Sequence, residues 1–142
     1  MLKVCYTTHM AAFAFVTFDK KALFFLRDNN PSIPFPGHWS LLGGADEPGE
    51  TFEQTMIREL KEEGDIEVSR YHYLFDSQDP NQPSHAIFSV VLSEDQVKKI
   101  SKGTEGQEIR WMTLDEIDKL PKVPALANIL KTKYQILQSL LS

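Results

Sequence analysis

Glu59, Glu62 and Glu63 bring three carboxylates close together in the chain. On a helix, residues three and four apart are neighbours, so Glu59 shares a face with both Glu62 and Glu63. Like charges at that spacing cost a few tenths of a kcal/mol per pair, roughly, and a purely structural helix gains nothing from them. A divalent cation converts the repulsion into coordination, because hard ions such as Mg²⁺ take oxygen ligands. Taken alone, Glu-Leu-Lys-Glu-Glu is better explained as a solvated acidic face. The reading shifts because of what stands upstream: Gly43-Gly44, then Gly49-Glu50, then Arg58 four residues before Glu62.

The element that must position these carboxylates is a helix starting near Thr51. Thr51 and Gln54 have the spacing of a capping box, which satisfies free amide donors at a helix start. Phe52, Met56 and Leu60 follow at steps of four and form one apolar stripe. Gly64 and Asp65 end the helix, with Gly64 as the expected left-handed stop. The Gly43–Gly49 stretch before it reads as a glycine-rich loop.

From Gly44 to Ile66 the chain resembles the Nudix box, G-x5-E-x7-R-E-U-x-E-E-x-G-U, where U is bulky and apolar. Gly44, Glu50, Arg58-Glu59-Leu60, Glu62-Glu63 and Ile66 all fall on fixed positions. Asp65 stands where the pattern has glycine; Asp is one of the few other residues that tolerates a left-handed backbone. The resemblance implies an α/β fold, a Nudix-type α/β/α sandwich around a mixed sheet, in a single domain. It implies Mg²⁺, with Mn²⁺ as a substitute, held by Glu59, Glu62, Glu63 and the carbonyl of Gly44. It also implies that Arg58 orients the glutamates and that Glu50 is an outer partner of the box.

The chemistry that follows is hydrolysis of a diphosphate linkage in a nucleoside diphosphate joined to another moiety. Metal ions screen phosphate charge that would repel a nucleophile, and they acidify bound water. The competing reading, from another class, is a non-catalytic nucleotide-binding or regulatory domain of the same fold. The intact glutamates argue against it.

The rest of the chain bounds this picture. Its 142 residues suit one domain with one sizeable core. Apolar residues are 42% and charged residues 25%, an ordinary globular composition. The net charge of −5, with no basic run, argues against a nucleic-acid polymer as partner and leaves a small nucleotide open. Cys5 is the only cysteine, which excludes an internal disulfide. No signal peptide and no membrane span are evident, so a cytoplasmic protein is expected.

Strands are expected at 2–8, 11–18, 22–26, 39–42, 66–75, 85–92 and 107–112. Short capped helices are expected after Ser93 and Thr113, and one long helix from Pro124 to about Leu140. Its stripe of Leu126, Leu130, Tyr134, Leu137 and Leu141 reads as core. The loop at 28–38 contains Pro31, Pro34 and Pro36, and stiff loops of that length are often functional. Arg27, just before it, is either a surface charge at a strand end or a contact to substrate phosphate. His9, His38, His72 and His85 are scattered and receive no role.

A carboxylate outside the box is also needed, as general base or further ligand. Gly103-Thr104-Glu105-Gly106-Gln107 resembles the segment that supplies it in MutT-like Nudix proteins, and Glu105 is the residue that fits. Its flanking glycines suggest a flexible loop that closes over substrate. Glu108, opening the next strand, is the alternative.

The metal expectation is directly testable. Saturating Mg²⁺ should raise the melting temperature, because a ligand that binds only the folded state stabilises it. A chelator should abolish turnover. An unchanged melting temperature together with chelator-resistant turnover would remove the three-glutamate site.

Overall fold

The computed structural model describes residues 10–77 and 84–142. The strand expected at 2–8 lies outside them. Among the described residues the order is β1 (Ala11–Phe18), β2 (Lys21–Leu26), β3 (Trp39–Ser40), β4 (Leu42–Ala45), α1 (Phe52–Gly64), β5 (Tyr71–Asp76), β6 (His85–Val91), α2 (Glu94–Lys98), β7 (Glu108–Met112), α3 (Leu114–Asp118), α4 (Pro124–Thr132) and α5 (Tyr134–Leu140).

The strands form one mixed sheet. β1 runs parallel to β6 over Ala11–Thr17, and the other pairs are antiparallel. β1 and β2 meet only near their hairpin, from Val16–Leu23 to Phe18–Lys21. They then diverge. The freed edge of β1 pairs with β4, Ala11 to Ala14 against Ala45 to Leu42. The freed edge of β2 pairs with β3, Phe25 and Leu26 against Ser40 and Trp39. Residues 39–45 therefore fill a split in the sheet, and the split is where the functional cavity opens.

The alternation along β1 sorts the core into two layers. Ala12, Ala14 and Val16 join Leu23, Leu42, Met56, Leu60 and Phe88 beneath α1. Phe15 joins Phe24, Trp39, Ile87, Met112 and the buried leucines of α4 and α5 on the other face. The result is the expected α/β/α sandwich. Met56 and Leu60 are fully buried, and truncating Leu60 to Ala would cost about 2–5 kcal/mol.

Several boundaries differ from expectation, each with a local cause. All three capping boxes form, at Thr51, Ser93 and Thr113. Gly64 remains helical, and it is Asp65 that takes the left-handed turn, at φ 53°. Strand β5 starts at Tyr71 rather than 66, because Ile66 is drawn into the core beneath α1. The last helix is two helices. Thr132 Oγ1 donates to Asn128 O at 2.8 Å, back-bonding of the kind that bends helices, and the break falls at Lys133. Tyr134, expected in the apolar stripe, is consequently 44% exposed.

Gly43 and Gly44 are not loop residues; they are strand residues in β4. Gly43 has φ 142°, and a Cβ there would overlap Ala12 O and lie 2.6 Å from Phe13 Cα. By contrast Gly49, at φ 86°, has open space around it. Gly49→Ala should therefore cost only the left-handed backbone, about 1–2 kcal/mol. Gly43→Ala should cost distinctly more, since it adds a clash with backbone. Urea midpoints of the two variants check this ordering, and equal losses would contradict the close approach of β4 to β1.

Candidate active site

Helix α1 lies across β4 and presents its carboxylates at the split in the sheet. Glu63 is the most enclosed, at 8% exposure, and its Oε1 accepts a hydrogen bond from Gly43 N at 2.8 Å. Burial outweighs that bond and raises its pKa to about 8. Glu59, its side chain 14% exposed, is also pushed up, chiefly by burial and against the pull of Arg58. Keeping Glu63 ionised at pH 7 thus costs about 1 kcal/mol. That exceeds the few tenths expected for a like-charge pair on an exposed helix. Gly44 makes room for this arrangement, since a Cβ there would sit 2.6 Å from Glu59 Oε2.

Arg58 holds the acidic groups together. Its Nε donates to Glu50 Oε2 at 2.7 Å and its Nη2 to Glu50 Oε1 at 3.1 Å and Ala45 O at 3.0 Å. Its Nη1 reaches Glu59 Oε2 at 3.3 Å and Glu62 Oε2 at 3.2 Å. Glu50 also accepts from Glu47 N and Thr55 Oγ1, and the Arg58 bond first of all brings its pKa down to about 2. Glu50 therefore ties the loop before α1 to the helix.

The three box glutamates are not gathered to a point. Glu62 is half-exposed and turned to Arg58, while Glu63 is turned to Gly43. Among the described residues no three Asp, Glu, His or Cys side chains converge as a finished metal site. The donor chemistry nonetheless fits a hard divalent cation. The groups are all oxygens, and the two inner carboxylates are held where added positive charge relieves them.

Glu105 lines the same concavity as Glu59 and Glu63, a space of about 240 Å³ also bounded by Arg27, Asp28 and Gly44. Its loop is not loose. Ser101 N and Gly103 N donate to Gly64 O and Glu63 O at the end of α1, and Gly106 N donates to Asp28 Oδ2 at 3.2 Å. The glycines serve contact here: a Cβ on Gly103 would overlap Glu62 O, and one on Gly106 would overlap the Phe25 ring. Glu108 lies on the other side of the sheet. Its carboxylate is paired with Arg110 at 2.8 Å, and Arg110 lies over the Trp39 ring in the layer of α4 and α5. Ile109, between them, faces α1.

A second space of about 320 Å³ continues from the carboxylate end, sharing Phe25, Arg27, Gly43, Gly44 and Glu63 with it. Phe13, Pro34, Phe35, Ser40, His85 and the start of α4 line it. The sequence places Pro34 and Phe35 in the functional loop at 28–38 but gives no role to Phe13, Phe25, Ser40, His85 or the start of α4. Phe13 and Phe25 sit in strand runs that look like ordinary core, and nothing local distinguishes them. Phe35 carried one signal, its place between two prolines in the stiff loop. His85 gained a role only by facing the cavity, with its ring 5.2 Å from that of Phe13.

The family profile described as NUDIX domain matches residues 7–133. An ADP-ribose pyrophosphatase of Methanocaldococcus jannaschii is 32% identical over 104 residues, covering 72% of this chain and 60% of that protein. An NAD-capped RNA hydrolase, NudC, of Pseudomonas aeruginosa is 30% identical over 107 residues, covering 70% of this chain and 35% of that protein. The chain thus spans less than two thirds of either relative's length. The solved structure from a study of MutT from Aliivibrio salmonicida and Vibrio cholerae superimposes with a TM-score of 0.68 at 24% identity, covering 92% of this chain and 95% of that one. That likeness establishes the fold. Among the described residues no helix is long and apolar enough to cross a membrane.

Two of the perturbed carboxylates, Glu50 and Glu63, give opposite pH signatures in the cation-free protein. Glu50 has a lowered pKa in the folded state, so its contribution is present above pH 4.5 and lost as the pH falls toward 2. Glu63 has a raised one, so stability is greatest below 4.5 and declines as the pH rises through about 8. Glu50→Gln should remove part of the acid-side slope. Glu63→Gln should flatten the alkaline side and be more stable than wild type above pH 8. Melting curves in chelator from pH 2 to 9 read both effects; superimposable alkaline profiles for wild type and Glu63→Gln would contradict the buried charge.

Proposed function

The chain belongs to the NUDIX domain family, and from that premise we propose that it is a divalent-cation-dependent hydrolase of a nucleoside diphosphate derivative. The observation that carries this reading is the meeting of Glu59, Glu63, Glu105 and Arg27 around one concavity that continues into an apolar recess. A charged end and an apolar end in one continuous space match a substrate with a diphosphate beside a flat, weakly polar group.

Glu59, Glu62 and Glu63, with the carbonyl of Gly44, are the groups that would hold Mg²⁺ or Mn²⁺. The bound cation would screen the phosphate charge that otherwise repels a nucleophile. Arg58 keeps Glu59 and Glu62 oriented and in check before it binds. Arg27, which lines both spaces, would meet a phosphate oxygen. Its Nε is committed to Pro34 O at 2.9 Å, which fixes the guanidinium at the rim. Glu105, held by its tethered loop, is the carboxylate suited to take the proton from attacking water. As the new P–O bond forms, the anhydride P–O bond breaks and its electrons leave with the departing phosphate.

ADP-ribose and dinucleotides of the NAD type head the substrate classes, because relatives carry names referring to them. Oxidised nucleoside triphosphates and sugar nucleotides belong in the same test. The capped-RNA relatives also bear on the partner. The charge argument against a polymer rests on the net −5 and the lack of a basic run, neither of which bears on a short capped oligonucleotide, so one belongs in the panel too.

The expected result is release of AMP or phosphate from at least one compound with Mg²⁺. Glu63→Gln should lose most turnover, and Glu105→Gln should fall by about 10²–10⁴-fold, the range for general-base catalysis. Glu108→Gln should stay near wild type. Loss confined to Glu108→Gln would transfer the role to that residue, near-wild-type rates in both Glu105→Gln and Glu108→Gln would mean that the base lies within the box itself, and a near-wild-type Glu63→Gln would remove the ligand assignment.

A further inference from the structure

The loop at 28–38 ends in an unusual presentation of one ring. Phe35 has φ 49°, in the left-handed region that aromatic residues rarely adopt. It is also 42% exposed, although it borders the apolar recess. An exposed ring in a strained backbone is a poor choice for stability alone, and such outliers collect at ligand clamps. The loop is built to hold it there. Pro34 and Pro36 flank Phe35 and restrict the chain on both sides. Arg27 Nε grips Pro34 O, Gly37 N donates to Asp28 O at 3.1 Å, and His38 Nδ1 contacts Pro36 O at 2.9 Å. The edge of Phe35 meets the His38 ring at 6.1 Å.

The recess that Phe35 borders is lined mainly by apolar and aromatic side chains. Phe13 and Phe25 supply further rings. Ser40 Oγ donates to Leu41 O, and Arg27 Nε is used on Pro34. The volume, about 320 Å³, is at the small end for ligand pockets, which suits one nucleoside-sized group and not a whole dinucleotide.

We propose that Phe35 is a substrate-positioning residue that stacks on a nucleobase entering the recess, so that the site selects for one flat heterocycle and discriminates little between bases. This deepens the hydrolase reading and rests on it. Stacking is tolerant of base identity because every base has a π-face. An apolar pocket also rejects a near-isostere weakly, whereas a site built on hydrogen bonds rejects it strongly.

Binding of AMP and of ribose 5-phosphate with Mg²⁺, measured by calorimetry, separates stacking from phosphate contact. Phe35→Gly should weaken AMP by about tenfold or more and leave ribose 5-phosphate unchanged. Its melting temperature should hold or rise, because glycine takes φ 49° without strain. A purely structural Phe35 would instead lower it. Phe35→Trp should restore AMP binding, and wild type should bind AMP, GMP and UMP within about tenfold of one another. Unchanged AMP affinity in Phe35→Gly would overturn the proposal, as would equal loss of AMP and ribose 5-phosphate, or strong preference for one base. Wild type that bound no nucleotide and cleaved nothing in the substrate panel would instead overturn the hydrolase reading beneath it.

Discussion

The fork of Arg58 is the interaction on which the site depends. One guanidinium reaches Glu50, Glu59, Glu62 and the carbonyl of Ala45. Without it, Glu50, Glu59 and Glu62 would lose the cation that all three share. Because Arg stays charged and offers donors in a fixed plane, it can neutralise and orient at once. It also fastens Ala45 and the segment after β4 to the helix. Glu63 stands outside this neutralisation. Buried against Gly43, it keeps a pKa near 8, the high-energy group that positive charge would relieve.

That burial is possible only because the sheet splits. β1 and β2 separate after a short hairpin contact, and residues 39–45 fill the gap. Close approach of β4 to β1 requires glycine at 43, and room for Glu59 requires glycine at 44. The opening left by the split places charged groups toward α1 and aromatic rings toward α4. Charged groups and aromatic rings thus border one continuous space, and Phe25 lines both ends of it.

The loop segments around this space are tethered more than their composition suggests. Gly103 and Gly106 look like hinges, yet both are contact glycines, one against the backbone of Glu62 and one against Phe25. The proline-rich loop is pinned by Arg27 and Asp28. The two loops meet through the bond from Gly106 N to Asp28 Oδ2. Glu105 and Arg27 are therefore held relative to one another before any ligand enters.

From the sequence by itself came the helix of the box, its capping, its buried stripe and the identity of the acidic groups. These are local matters of spacing, set by the 3.6-residue period and the chemistry of caps. The same is true of the alternation in β1 that assigns each side chain to one layer. What the tertiary structure alone decided was burial and convergence. Spacing could not say that Glu63 is enclosed and Glu62 exposed, because that depends on where β4 lies against α1. It could not show that Glu105 borders the concavity of Glu59 and Glu63 while Glu108 pairs with Arg110 on the other face of the sheet. Nor could it reveal that Phe13, Phe25, Phe35 and His85 line one recess, since four residues from separate segments are brought together only when β1 and β2 diverge.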